Sequence, residues 1–312
     1  MRVVNTDAVV VTEPGQLALR SLPLTEVGPG DVVVENLWSG VSAGTERLLW
    51  SGAMPPFPGM GYPLVPGYES VGVITEAGPE SQRRVGQRVF VPGASCYGEV
   101  RGLFGASARK VVTAGARVVP VGALGSEATL LALAATAYRA LDFGSADVVV
   151  GHGALGRLLA TLNHIRYGSW PLVWEALAAR RAQATPYPLV APGTAPDTPA
   201  ARVVDASGDP GIIDQVVPVL SRGAQVVLAG FYSRPVTFQY PPAFIKEIGV
   251  QIAAEFRPEH LSAVADLAVG GALDLDGIIT HVESPSQVRS AYERAFTDPE
   301  CVKLILDWNR AP

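Results

Sequence analysis

The stretch VVVGHGALG, residues 148–156, decides the fold of this chain because a short apolar strand runs directly into a glycine-rich turn. The spacing G-x-G-x-x-G allows such a turn and the helix after it to accept the pyrophosphate of a dinucleotide. Gly151 permits the tight turn, Gly153 lets the phosphates approach, and Gly156 lets the helix pack against the strand. The residues predicted to hold the nucleotide here are Gly151, His152, Gly153, Ala154, Leu155 and Gly156.

A second apolar run supports nucleotide binding and bears on the kind of nucleotide. The run PLVW, residues 171–174, is followed by Glu175, where a carboxylate is placed to accept hydrogen bonds from the ribose hydroxyls. A carboxylate at this point repels the 2′-phosphate of NADP, so NAD is the predicted cofactor. Arg180 and Arg181 could neutralise such a phosphate, but solvated helix charges are the simpler interpretation.

Composition excludes several classes of protein. The 312 residues are 48% apolar, which is enough for two domain cores. Charged residues make up 17%, the net charge is -5 and no long basic run occurs, so no nucleic-acid partner is expected. The sequence has two cysteines, Cys96 and Cys301, and they do not form a C-x-x-C motif. This small number favours a reducing, cytoplasmic location. Neither a signal peptide nor a membrane span is expected, because no run of about eighteen apolar residues is present.

The pattern of apolar runs changes near residue 125. Short β-type runs broken by Gly and Pro fill the first 120 residues, and strands then alternate with helical segments. The proline-rich stretch 185–199 predicts an irregular, shortened unit. We therefore predict an α/β protein with a β domain at 1–122 and 276–312, and a doubly wound parallel sheet domain at 123–275.

Several motifs outside the glycine-rich turn resemble the medium-chain dehydrogenase/reductase family. They are SGVS at 39–42, PGYE at 66–69 followed by Gly72, TAY at 136–138 and KLIL at 303–306. The resemblance covers nearly the whole chain. It implies that a GroES-like β domain is interrupted by a Rossmann domain and completed by the C-terminal segment, and that the protein is an oxidoreductase.

The chain departs from this family at the positions where its zinc enzymes bind metal. Those enzymes carry Cys where this sequence has Ser42, His where it has Tyr68, and usually another Cys where it has Ala132. Glu69 matches the family pattern, but zinc prefers Cys and His for an enclosed tetrahedral site. The four-cysteine structural zinc lobe is missing as well, so no metal is expected.

Two segments resemble, more narrowly, a zinc-lacking branch of the family that acts in bacteriochlorophyll synthesis. They are SAGTERLLWSG at 42–52 and FPGMGYPLVPGYES at 57–70. This resemblance implies an NAD-dependent alcohol dehydrogenase that oxidises the hydroxyethyl group of a bacteriochlorophyllide, a tetrapyrrole, to acetyl. It also implies a cytoplasmic enzyme, and contact with the periphery of the photosynthetic membrane stays open.

Without zinc, a side chain must accept or relay the proton of the alcohol. The motif places Tyr68 and Glu69 beside the active site of relatives, so one of them is predicted to accept the proton or to orient the acceptor. Ser42 and Thr45 are predicted to hydrogen-bond the alcohol. An alternative role for Thr45 is to cap the short helix that starts near Glu46.

An aromatic and charged segment next to these residues suits a flat macrocycle. The predicted substrate-binding residues are Glu46, Arg47, Trp50, Phe57 and Tyr62. The alternative for each apolar member is burial in the β-domain core or in a subunit contact. Arg47, Lys246 and Arg257 are candidates to bind the propionate of the macrocycle, and a solvated surface position is the alternative for each.

Three interpretations remain open at the level of function. The first is the NAD-dependent dehydrogenase described above. The second is a zinc-free quinone or enone reductase of the same superfamily, which would prefer NADPH. The third is a non-catalytic scaffold that binds the nucleotide and the pigment. Relatives are often dimers joined through the Rossmann sheet, and residues 244–254 could form such an edge in a homodimer, although burial explains their apolarity equally well.

Overall fold

The computed structural model describes residues 5–56, 58–253 and 255–310. The chain divides into two compact units. The first joins Met1–Ala132 to Ala265–Pro312, and the second contains Leu133–Val264.

The first unit is built from two mostly antiparallel sheets. Its strands are β1 (Asn5–Glu13), β2 (Gln16–Pro23), β3 (Asp31–Val41), β4 (Leu64–Val65), β5 (Ser70–Ala77), β6 (Arg88–Val91), β7 (Arg101–Gly102), β8 (Lys110–Ala114), β9 (Val119–Pro120), β16 (His281–Glu283) and β17 (Leu304–Asp307). One sheet has the order β2-β1-β4-β7, and the other has the order β16-β17-β3-β5-β6-β9 with β8 also paired to β3. The C-terminal strand β17 therefore completes a sheet begun near the N-terminus.

The second unit contains a six-stranded, all-parallel sheet. Its strands are β10 (Val148–Val150), β11 (Leu172–Trp174), β12 (Leu189–Val190), β13 (Ala200–Asp205), β14 (Leu220–Leu228) and β15 (Gly249–Ile252). Their order is β12-β11-β10-β13-β14-β15, which is the classic dinucleotide-binding order with the first strand, β10, at its centre. The predicted doubly wound parallel sheet is confirmed.

Eight α-helices accompany these sheets in the described ranges. They are α1 (Thr45–Ser51), α2 (Leu131–Ala140), α3 (Ala154–Tyr167), α4 (Ala178–Arg181), α5 (Ile212–Val216), α6 (Tyr240–Lys246), α7 (Pro258–Val269) and α8 (Val288–Thr297). Short 3-10 turns extend some of them, for example Ser126–Leu130 before α2. None of the helices in the described ranges is long and apolar enough to cross a bilayer.

The apolar runs of the sequence form the cores. Val148, Val203 and Val226 lie in neighbouring strands of the parallel sheet and are fully buried, as expected for strands covered on both faces. The proline-rich stretch forms only the two-residue strand β12, so the predicted shortened unit is confirmed. Strand β16 begins at His281, and Ile278 is buried three residues before it.

Candidate functional site

In the second unit, the glycine-rich turn joins β10 to α3. Gly151 has a φ of 96°, in the left-handed region that favours glycine. Gly153 is the N-cap of α3 and provides no side-chain cap, so the first N–H groups of the helix are available to an anion. A Cβ at Gly156 would overlap the carbonyl oxygen of Gly151, whereas a Cβ at Gly153 would meet no atom within 4 Å. The open space at Gly153 fits the approach of a pyrophosphate.

Alanine substitutions at Gly153 and Gly156 should have different effects on nucleotide binding and on stability. Gly153→Ala should fold normally, with a change within about 1 kcal/mol in unfolding free energy, but weaken dinucleotide binding by at least about tenfold because the methyl group blocks the phosphates. Gly156→Ala should instead lower the unfolding free energy by about 1–3 kcal/mol, because backbone atoms must move. Urea unfolding and titration with NADH separate the two effects. Equal stability losses in both variants, or unchanged binding by Gly153→Ala, would contradict this assignment.

Glu175 follows β11 and is nearly buried beside the turn. Its carboxylate accepts the backbone N–H of His152 at 3.2 Å and that of Leu177 at 2.7 Å. The guanidinium of Arg180 lies 4.0 Å away, and Arg181 donates to the backbone oxygen of Glu175 at 2.7 Å. Glu175 therefore links the turn to the end of β11, and its carboxylate lies beside the turn that would hold the nucleotide.

The imidazole of His152 is buried and pairs with a residue that sequence reasoning missed. Its Nε2 lies 2.8 Å from the hydroxyl of Tyr187. Burial, and then the positive charges of Arg157 and Arg180, lower the pKa of His152 to about 4, so the ring is neutral at physiological pH. Tyr187 belongs to the irregular proline-rich segment, where no periodicity marks a functional residue.

Asp205, at the end of β13, was also missed. Its carboxylate is fully buried and accepts hydrogen bonds from the backbone N–H groups of Ser207 and Gly208 and from the hydroxyl of Tyr232. A Cβ at Gly151 would lie 3.2 Å from the backbone nitrogen of Ser207. Asp205 thus fixes a second turn that packs against the glycine-rich turn.

In the first unit, the structure brings Tyr68, Ser42 and Thr45 together. The Tyr68 hydroxyl donates to Ser42 Oγ at 2.8 Å, and the Thr45 N–H donates to the same oxygen at 3.3 Å. Burial, and then the negative charge of Glu69, raise the pKa of Tyr68 well above its usual value. Tyr68 is therefore a neutral phenol at physiological pH. Thr45 is the first helical residue of α1 and Gly44 is the N-cap, so the alternative role of Thr45 as a cap is wrong.

Glu69 is fully buried, and its carboxylate pairs with the ammonium group of Lys303. Lys303 precedes β17 and is itself only 3% exposed. A Cβ at Gly40 would overlap the Glu69 carboxylate and lie 3.1 Å from Cε of Lys303, so glycine is needed there. Lys303 had been noted only as part of a motif, and the contact with Glu69 gives it a structural role.

Glu46 lies inside the first unit and not on its surface. Its carboxylate accepts a hydrogen bond from the Tyr292 hydroxyl at 2.5 Å and one from the Ser42 N–H at 3.3 Å. Burial raises the pKa of Glu46 to about 7, and the nearby Glu69 charge adds to the rise, while the Tyr292 hydrogen bond and Lys303 oppose it. Glu46 thus titrates near neutral pH behind Ser42.

The raised pKa of Glu46 predicts a pH-dependent stability. Between about 4.5 and about 7, the folded protein holds a proton that the unfolded chain releases, so stability falls as pH rises. The unfolding free energy of the wild type relative to Glu46→Gln should drop by about 3 kcal/mol between about pH 4 and pH 8. The lowered pKa of His152 makes stability rise with pH instead. This contribution is the same in the wild type and in Glu46→Gln, so it cancels in their difference. Urea titrations across this range that give a constant difference would contradict the expectation.

The remaining predicted substrate residues lie in different environments. Arg47 is exposed on α1, and Trp50 and Tyr62 are partly buried against the apolar cluster that contains Leu49. The Tyr62 hydroxyl donates to the backbone oxygen of Leu49. Trp50 packs against the ring of Phe296 at a centroid distance of 5.6 Å. Phe57 lies outside the described residues.

The residues at the zinc-ligand positions of the family do not fit a catalytic metal. The Ser42 hydroxyl already accepts from Tyr68, the methyl side chain of Ala132 cannot ligate a metal, and Glu69 faces a lysine ammonium that would repel a cation. In the part of the chain that the structure describes, no three His, Cys, Asp or Glu side chains are grouped to hold a metal ion. We therefore derive no step through a metal.

Comparison with known proteins agrees with this fold. Residues 28–135 match the family model of the alcohol dehydrogenase GroES-like domain. An alcohol dehydrogenase from Escherichia coli CFT073, solved with NADH, superimposes with a TM-score of 0.83 at 21% identity, covering 97% of this chain and 99% of that one. A zinc-binding dehydrogenase from Sinorhizobium meliloti 1021, bound to NADP, superimposes with a TM-score of 0.80 at 20% identity. The match covers 97% of this chain and 99% of that one. The chain has the GroES-like and Rossmann domains of an alcohol dehydrogenase-type oxidoreductase.

Two relatives are far more similar in sequence. The 2-desacetyl-2-hydroxyethyl bacteriochlorophyllide A dehydrogenase of Rhodobacter capsulatus is 49% identical, covering 98% of this chain and 99% of its own length. The enzyme of the same name from Cereibacter sphaeroides is also 49% identical, and the match covers 97% of this chain and 98% of its own length. The chain belongs to the family of these two dehydrogenases, within the medium-chain dehydrogenase/reductases.

Proposed function

We propose that this protein oxidises the hydroxyethyl substituent of a bacteriochlorophyllide to an acetyl group and transfers the hydride to NAD. The observation that carries this proposal is 49% identity along almost the entire chain to two dehydrogenases named for that substrate. The site residues are compatible with it, because the second unit has a dinucleotide turn and the first has a hydroxyl network next to an aromatic segment.

The second unit would hold the nucleotide through its own backbone. The open space at Gly153 and the first N–H groups of α3 would receive the pyrophosphate, and Glu175 the ribose hydroxyls. When bound, the nicotinamide ring accepts the hydride. We propose NAD over NADP because Glu175 is nearly buried at the ribose position and Arg180 and Arg181 are already engaged around it.

In the first unit, Tyr68 would relay the proton of the alcohol. Because its pKa is raised, Tyr68 stays a neutral phenol, which accepts the substrate proton only as it passes its own proton to Ser42. Ser42 would release its own hydroxyl proton in the same step. The Thr45 side chain is a second hydrogen-bond partner of Tyr68, and Thr45, partly exposed at the start of α1, would lead the proton toward solvent. Glu69 is held by Lys303 and would orient Tyr68 rather than take the proton.

A second copy of the chain is the proposed protein partner. Strand β15 is one of the two edge strands of the parallel sheet and leaves Val250 and Ile252 exposed. The preceding helix carries the exposed Phe244 and Ile245. An edge with unpaired backbone groups and apolar side chains is suited to strand pairing with the same edge of another molecule. Sedimentation of the purified protein tests this assignment.

The function is tested by product analysis. Purified protein is incubated with the hydroxyethyl pigment and either NAD or NADP, and the product is identified by mass spectrometry. The proposal expects a product lighter by two hydrogen atoms, formed faster with NAD. Preference for NADPH and reduction of a quinone or enone would favour the reductase instead. Tight binding of both ligands with no product would favour the scaffold.

A further inference from the structure

Arg101 lies on the edge strand β7 of the first unit, and its guanidinium rests against the backbone of Gly61. A Cβ at Gly61 would lie 2.9 Å from Cζ of Arg101 and 3.1 Å from Nε. A side chain at position 61 would therefore displace the guanidinium. Arg101 is exposed, and across residues 5–56, 58–253 and 255–310 no carboxylate forms an ion pair with it. The structure thus holds an unneutralised cation in a defined place.

Apolar and aromatic residues lie close to Gly61 and Arg101 in the sequence, on either side of Gly61 and three positions after Arg101. Met60, Tyr62 and Phe104 are partly buried and pack against the same core cluster of the first unit. A flat, apolar ligand that carries one carboxylate matches a surface of this kind, because aromatic faces bind its rings and the guanidinium binds its charge.

Strand pairing relates Arg101 to the proposed proton relay. Strands β4 and β7 run parallel, with Leu64 opposite Arg101 and Val65 opposite Gly102. Both segments continue in the same direction to Tyr68 and Phe104, whose rings meet edge to face at 5.5 Å. Four residues of extended chain span at most roughly 13 Å and neighbouring strands lie about 5 Å apart, so the backbone of Arg101 lies within roughly 14 Å of that of Tyr68.

We propose that Arg101 binds the propionate carboxylate of the tetrapyrrole substrate. This inference rests on the proposed function, since a bacteriochlorophyllide carries that carboxylate in free form, on a different pyrrole ring from the hydroxyethyl group. A guanidinium can donate hydrogen bonds to both carboxylate oxygens at once, in a bidentate pair. Arg101 would then select the free acid over its esters. It would also hold in place the end of the macrocycle that lies away from the reacting hydroxyethyl group.

The test compares the free acid of the pigment with its methyl ester in steady-state assays. The wild type is expected to have a KM about tenfold lower for the acid than for the ester. Arg101→Gln should raise the KM for the acid about tenfold, leave that for the ester unchanged, and change kcat less than twofold. Arg20→Gln is the matched control, because Arg20 is exposed on β2, at the opposite edge of the same sheet.

Two results would overturn the proposal. One is that Arg101→Gln affects acid and ester alike, or neither. The other is that Arg47→Gln, and not Arg101→Gln, abolishes the discrimination. If the wild type turns over neither pigment, the proposed function fails, but quenching of tryptophan fluorescence by the two pigments still compares their binding. If Arg101→Gln no longer binds the acid more tightly than the ester in this fluorescence measurement, the carboxylate site is supported even without turnover.

Discussion

Replacement of Tyr68 by phenylalanine is expected to lower kcat for alcohol oxidation by about 100- to 10,000-fold, which is the usual contribution of a positioned acid or base. The phenol is the group that donates to Ser42 Oγ at 2.8 Å, and phenylalanine keeps the ring against Phe104 while removing the relay. Because the ring stays in place, KM for the pigment should change little. Stopped-flow or steady-state measurement of NADH formation gives both constants.

A matched variant shows whether the effect is specific to the relay. Tyr240→Phe removes an exposed hydroxyl in the second unit, so its kcat should equal that of the wild type. Dissociation of NADH from Tyr68→Phe should also be unchanged, since Tyr68 belongs to the first unit. If Tyr68→Phe retains more than about a tenth of the wild-type kcat, the relay must use another group.

Replacement of Lys303 by methionine is expected to lower the unfolding free energy by about 3–5 kcal/mol. Methionine is apolar and comparable in length, so the main effect is to leave the fully buried Glu69 carboxylate without its cation. An uncompensated buried charge is costly because the low-dielectric interior does not solvate it. Urea unfolding at constant pH measures the loss.

The double variant Lys303→Met with Glu69→Gln is the control for that interpretation. It removes both charges, so it should recover most of the stability that Lys303→Met loses. The double-mutant cycle then gives a favourable coupling between the two side chains. Additive losses in the cycle would mean that Lys303 contributes through its packing and not through its charge.

The parts of the fold that the sequence predicted are those with a local pattern. The strand at 148–150, the glycine spacing after it and the proline-rich stretch before β13 each carry their information within a few residues. The parallel sheet follows from the alternation of such segments. The motif at 66–69 likewise predicted that Tyr68 lies near Ser42, and their hydroxyls are in contact, because the motif belongs to a pattern shared by the family.

The contacts that no local pattern encodes could not be predicted. Tyr292 reaches Glu46 across 246 positions of the sequence, and Lys303 reaches Glu69 across 234. Such pairs depend on how α8 and β17 return to the first unit, which sequence spacing alone does not specify. Thr45 differs, because its contact is local: its N–H donates to the Ser42 hydroxyl three residues earlier, and the N-cap is Gly44, so the alternative role of Thr45 as a cap was wrong.

We propose that this chain oxidises its alcohol with NAD through a hydroxyl relay rather than a bound metal. The most direct test is an anaerobic assay of chelator-treated protein with NAD and the hydroxyethyl pigment, following NADH and the red absorption band of the pigment together. One NADH should form for each pigment molecule converted, at a rate that added zinc does not change. Activity that is lost on chelation and restored by zinc would contradict it, as would an unchanged pigment spectrum with the active, untreated protein.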